Sequence, residues 1–147
     1  MPKIKHIAIA TQDAAKTAEF YKEVFGLREI AQLESANANG FFLSDGNVNM
    51  AILDFQNDAV AGERGKEYSG IHHIGFYVDD LDAAVATVED HGGTECPGSS
   101  KANRKYKGPD GLLIDLRFGG GDEQSRARST LYKLTGAAPA KTAGAAD

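Results

Sequence analysis

Apolar residues recur along this chain in two periods that take turns, and the alternation itself is repeated. In KHIAIAT (5–11) β-branched residues alternate with small or polar ones, a period of two that predicts a strand. From Ala14 the spacing changes: Ala14, Thr17, Ala18, Tyr21, Val24 and Phe25 fall on one stripe at three-four spacing. That stripe predicts a helix, with Asp13 as its N-cap and Gly26 as its C-cap. The same grammar returns in IHHIGFYVDD (71–80), followed by a stripe of Leu81, Ala84, Val85 and Val88 behind Asp80 and a stop at Gly92-Gly93. His6 and His73, Ile7 and Ile74, Asp13 and Asp80, and Gly26 and Gly93 are all related by one constant offset of 67. A repeat of that kind decides architecture, since each copy is one supersecondary unit.

Three strand-like runs joined by turn chemistry follow each helix. In the first copy they are LREIAQLE, GFFLSD and NVNMAILDF, with Asp45-Gly46 as a hairpin signal. In the second they are TEC, a stretch around RKYK, and LLIDLRF, with Pro109-Asp110-Gly111 as the turn. The pattern predicts an α+β fold of two tandem βαβββ units, residues 4–55 and 71–118, in a single domain spanning 1–118. The polar, glycine-bearing stretch 56–70 reads as the linker. Residues 119–147 read as a flexible C-terminal tail in which RSTLYKL forms a short helix.

Strand parity then sorts the polar residues, because alternate positions face one side. His6 shares a face with Ala8 and Ala10, His73 with Gly75 and Tyr77, Asp115 with Leu113 and Arg117, and Asn49 with Ala51 and Leu53. The opposite faces carry Ile7, Ile9, Ile74, Phe76, Ile114, Leu116, Met50 and Ile52, which would pack under the helices. The polar face is also the face of alanine and glycine, as a hollow with room for a ligand requires. By the same parity His72 turns away from His73 into packing or solvent, and His91 near a helix end is solvated surface.

Composition narrows the function classes. With a net charge of −5 and no periodic basic face, the chain lacks the electrostatic footprint of a nucleic-acid binder. The single cysteine, Cys96, fits a reducing compartment. The opening MPKIKHIAIA is too short an apolar run for a signal peptide or a membrane span. The expectation is a cytoplasmic protein acting on a small molecule, with neither nucleic acid nor membrane as partner.

Paired βαβββ units whose first strands both contain His-Ile, and a PDG turn leading into a last strand with an acidic residue, resemble the vicinal oxygen chelate superfamily. That group includes glyoxalase I, methylmalonyl-CoA epimerase, extradiol dioxygenases and the bleomycin- and fosfomycin-resistance proteins. The resemblance covers roughly residues 4–118 and implies a cup-shaped mixed sheet around a central cavity, built within one chain or across a homodimer. It also implies one divalent transition metal (Fe, Mn, Zn, Ni or Co) held by His6, His73 and Asp115, residue types suited to such ions. At the usual fourth ligand position the chain has Ala51. Asn49, Tyr77 and Arg117 are the candidate substrate-binding residues, although an Asp115–Arg117 ion pair competes equally with a substrate carboxylate for Arg117.

Two histidines and one carboxylate leave metal positions open, the pattern of non-heme oxygenases, so a metalloenzyme with dioxygenase-like chemistry is narrowly preferred. Ring-cleaving relatives usually carry two such modules and a further acid-base histidine, and this chain has neither. The alternatives are a glyoxalase- or epimerase-type lyase or isomerase, from which Ala51 removes the usual base, and a metal-free small-molecule-binding protein of the resistance type.

Overall fold

A computed structural model describes residues 1–119 of the chain. Strand β1 (Lys3–Ala10) leads into helix α1 (Ala14–Phe25), then β2 (Arg28–Glu34), β3 (Ala38–Ser44) and β4 (Asn49–Phe55). A short helix α2 (Asp58–Ala61) and a 3₁₀ turn (Gly62–Arg64) precede β5 (Gly70–Val78), α3 (Leu81–Asp90), β6 (Thr94–Glu95), β7 (Asn103–Lys107) and β8 (Leu113–Phe118). The strands form one sheet in the order β2-β3-β4-β1-β5-β8-β7-β6. Each unit pairs its first strand in parallel with its last, and the two first strands pair antiparallel at the middle. The first strands thus meet at a central seam within one chain, which brings His6 and His73 together. The segment RSTLYKL and the rest of the expected tail beyond Gly119 lie outside the described residues.

Capping chemistry sets the helix ends. Asp13 accepts a hydrogen bond from the Lys16 amide and Asp80 one from the Ala83 amide, satisfying donors that a helix start leaves open. Gly26 ends α1 in the left-handed conformation, with φ 66°. In the β3–β4 turn the Asp45 carboxylate accepts from the Val48 and Asn47 amides, which hold it below the usual carboxylate range.

On one face of the sheet, Ala14 and Ala18 of α1 pack with Leu43 and Ile52. The predicted α1 stripe is only partly buried: its last turn leaves Val24 and Phe25 exposed. The α3 stripe is half-buried throughout. Tyr106, fully buried on this face, donates to Glu89 of α3 across 2.6 Å, and burial followed by that hydrogen bond pushes its phenol up to about 12. Tyr106→Phe should therefore cost about 1 kcal/mol in urea unfolding, the usual net value of one such hydrogen bond, while leaving ligand binding unchanged.

On the other face of the curved sheet, the part around Ala51 is packed. Ala8, Ala10 and Ala51 face a packed cluster with Phe42, Leu53 and Phe55. The linker folds over it, with Ala61 fully buried in the cluster and Val60 and Tyr68 packed against it. Small residues on the strands do leave room, and the phenylalanines and the linker helix fill it. The linker is also more ordered than a plain loop, because Asn57 caps a helical turn by accepting from the Val60 amide.

Candidate functional site

Around the central seam and across the second unit, the same face is polar. In register, His6 of β1 lies beside Asn49 on one side and Gly75 on the other, and Gly75 lies beside Asp115. Tyr77 pairs with Arg117, and Arg117 with Asn103 of β7. All of these side chains are buried. The two histidine rings meet with their Nε2 atoms 3.1 Å apart. His73 Nε2 also lies 3.7 Å from Asp115 Oδ2.

Asp115 is held by cations. Lys105 Nζ lies 2.7 Å from its Oδ1, and an Arg117 guanidinium nitrogen 3.3 Å from its Oδ2. The Asn103 amide donates to Oδ2 over 3.4 Å. The Asp115–Arg117 ion pair, one of the two roles open to Arg117 from the sequence, is therefore formed. Neither Lys105 nor Asn103 stands out in the sequence. Parity along NRKYK would have found them, since Asn103, Lys105 and Lys107 alternate with Arg104 and Tyr106 once the strand is fixed.

His72 departs from the expected parity. The β1–β5 register pairs Ala8 with His73 and Ile9 with Ile71, so one residue of β5 is skipped at this point. A slip of this kind re-aims a side chain, and both histidines are buried in succession. The His72 ring packs 4.8 Å from that of Phe55. Its Nε2 donates to the Ala61 carbonyl over 2.6 Å, and its Nδ1 lies 2.9 Å from His73 Nδ1. His91 remains exposed, as expected.

Burial sets the charge state of this pair. It pushes the His72 imidazole below its ordinary value, with Lys105 and Arg64 adding to the effect. It pushes His73 well below, against the opposing pull of Asp115. Both rings are therefore neutral near pH 7 and carry a lone pair each.

These donors suit a divalent transition metal in type. Two imidazole nitrogens bound to one ion at about 2.0–2.1 Å stand roughly 3 Å apart, which is the spacing of the His6–His73 pair. As the side chains stand, no group of three or more His, Cys, Asp or Glu among the described residues could hold an ion. The shortfall is at Asp115, whose oxygens are engaged by Lys105, Arg117 and Asn103. Ala51 contributes no fourth donor, being packed into the apolar cluster. Among the described residues, two clefts of about 510 and 370 Å³ lie elsewhere, the first along Asp58 and Arg64–Tyr68 and the second between Gln12–Ala15 and Gln32–Glu34. Neither includes the histidine pair. No helix among the described residues is long and apolar enough to cross a membrane.

With sheet order and paired histidines established, the chain belongs to the Glyoxalase/Bleomycin resistance protein/Dioxygenase superfamily, whose family model matches residues 3–116. Escherichia coli YaeR, itself described as uncharacterized, is 29% identical over 125 residues, covering 79% of this chain and 95% of that protein. Human mitochondrial methylmalonyl-CoA epimerase is 34% identical over 92 residues, 59% of this chain, so the match spans only 52% of that relative's length. A probable lactoylglutathione lyase of Vibrio cholerae is 31% identical over 125 residues, with 78% and 88% coverage. Among solved structures, a hypothetical protein from Bacillus halodurans superposes with a TM-score of 0.64 at 18% identity, covering 82% and 96% of the two chains. A Streptomyces coelicolor methylmalonyl-CoA epimerase variant in complex with 2-nitronate-propionyl-CoA gives 0.61 at 25% identity, again with 82% and 96% coverage.

Proposed function

We propose that the protein is a divalent-metal-dependent isomerase or lyase acting on a small carbonyl compound, with the metal held by His6, His73 and Asp115. The observation that carries this reading is the buried His6–His73 pair, contributed by equivalent positions of the two units with Nε2 atoms 3.1 Å apart. The dioxygenase chemistry narrowly preferred from the sequence gives way here, because the named relatives include epimerases and a probable lyase. Epimerisation next to a carbonyl requires movement of a proton on carbon, which is acid-base and not oxygen chemistry.

A bound divalent ion supplies Lewis acidity that polarises a carbonyl oxygen. The chain's own residues bind and orient. Lys105 and Arg117 place two positive charges beside the histidine pair, where negative charge developing on a substrate oxygen is stabilised. Asn49 and Tyr77, on the same face, are the hydrogen-bonding groups for the rest of the substrate. Asp115 would hold the ion as the third ligand, for which its contact with Arg117 would have to give way.

The test is metal analysis of the purified full chain, together with deuterium incorporation from D₂O into small carbonyl compounds and oxygen uptake. One equivalent of transition metal, lost in His73→Ala, and exchange without oxygen uptake are expected. Oxygen uptake would restore the dioxygenase reading. A folded protein that takes up no metal would favour a metal-free binding protein, the reading supported by Asp115's existing ion pairs and by Ala51.

A further inference from the structure

His72 has no part in the ligand set, yet it touches the site through one ring nitrogen and the linker through the other. We propose that His72 is a positioning residue that fixes the tautomer of His73, so that His73 Nε2 presents a lone pair toward His6. The metal-binding consequence rests on the proposed metal-dependent function; the tautomer assignment stands apart from it.

Three contacts fix where the protons sit. A carbonyl oxygen can only accept, so the 2.6 Å contact from Ala61 O requires the proton of His72 on Nε2. A neutral ring protonated there has its lone pair on Nδ1. That atom lies 2.9 Å from His73 Nδ1, and a hydrogen bond between them requires His73 to carry its proton on Nδ1. His73 Nε2 is then the unprotonated nitrogen, facing His6 Nε2 at 3.1 Å and Asp115 Oδ2 at 3.7 Å. The opposite tautomer of His73 would set two lone pairs against each other across 2.9 Å in a buried site.

Local structure holds the relay in place. The skipped register position in β5 turns His72 to the side of His73, and the Phe55 ring lies against it. Ala61 is the last residue of α2, so the acceptor is supplied by the end of the Asn57-capped turn. Metal-ligating histidines are generally oriented by a carbonyl or carboxylate on the second nitrogen. In this chain a backbone carbonyl acts through an intervening imidazole, and the linker becomes part of what orients the site.

The test uses the full chain without added metal, labelled with ¹⁵N at histidine, and reads the His73 tautomer from long-range proton–nitrogen correlations. Wild type should show His73 protonated at Nδ1. His72→Phe, which keeps ring volume and removes the acceptor, should shift His73 toward the Nε2–H form. His72→Asn, which restores an acceptor oxygen, should recover the wild-type pattern. Zinc affinity measured by calorimetry should fall about 10- to 100-fold in the Phe variant and recover in the Asn variant. A wild-type His73 protonated at Nε2, or a tautomer unchanged in a folded His72→Phe, overturns the assignment. Should the Phe variant fail to fold, the wild-type tautomer still decides. Nδ1 protonation in a wild type that binds no zinc would sink the metal reading and leave the role of His72 standing.

Discussion

Asp115→Ala is expected to lower the stability of the metal-free protein by about 3–5 kcal/mol, the range for removing one partner of a buried ion pair. The carboxylate is only 1% exposed, and three groups converge on it from two strands: Lys105 at 2.7 Å, Arg117 at 3.3 Å and the Asn103 amide at 3.4 Å. Truncation takes the compensating negative charge from an Arg117 that is itself 4% exposed. Lys105, with its side chain 28% exposed, can turn to water and adds less. Most of the loss therefore belongs to Arg117. A second substitution, Arg117→Met, should recover part of it, because an apolar group of similar reach needs no counter-charge. Urea unfolding of the two single variants and the double variant measures this directly. A loss below about 1 kcal/mol for Asp115→Ala, or no recovery in the double variant, would mean that the pair is effectively solvated.

The sequence carried the repeat well because its signals are local. Asp13, Asp80 and Gly26 cap helices through groups within a few residues of themselves, so spacing alone exposes them. Period-two alternation likewise put His6, His73 and Asp115 on one face, and the register agrees. What escaped the sequence depends on pairing between distant segments. His72 left its expected face because the β1–β5 register slips, and nothing in IHHIG marks a slip whose cause lies in how Ala8 and Ile9 pair across the seam. The filling around Ala51 was hidden for the same reason, since Phe42 and Phe55 reach it from two strands and Ala61 from the linker. Lys105 was invisible until β7 was placed against β8, which set its side chain beside Asp115. The shared face of the candidate donors was thus legible in the sequence, whereas the contacts that hold and orient these side chains required tertiary structure.

Gly75→Ala is the second large effect expected, and it tests how His6 comes to reach His73. Gly75 pairs with His6 across the central seam, between His73 and Tyr77 on the same face of β5. A methyl group there would lie 2.8 Å from His6 Cβ, 3.3 Å from its Cδ2 and 3.4 Å from its Cγ. The imidazole therefore leans across the space that a side chain at 75 would take, and that lean carries Nε2 to within 3.1 Å of its partner. The need for glycine is steric, because Gly75 is absent from the glycines with positive φ. Its nearest neighbour is a Cβ fixed to the strand, so relief requires a backbone shift at the seam. The expected loss is about 1–3 kcal/mol, the usual cost of overpacking, as the two rings part. The comparison that isolates the cause is the background in which it is measured. In His6→Ala the Cβ remains and Gly75→Ala should cost nearly as much as in wild type; in His6→Gly the contact is gone and the cost should largely vanish. Equal losses in all three backgrounds would place the crowding away from His6, and the absence of a side chain at 75 would then owe nothing to the histidine pair.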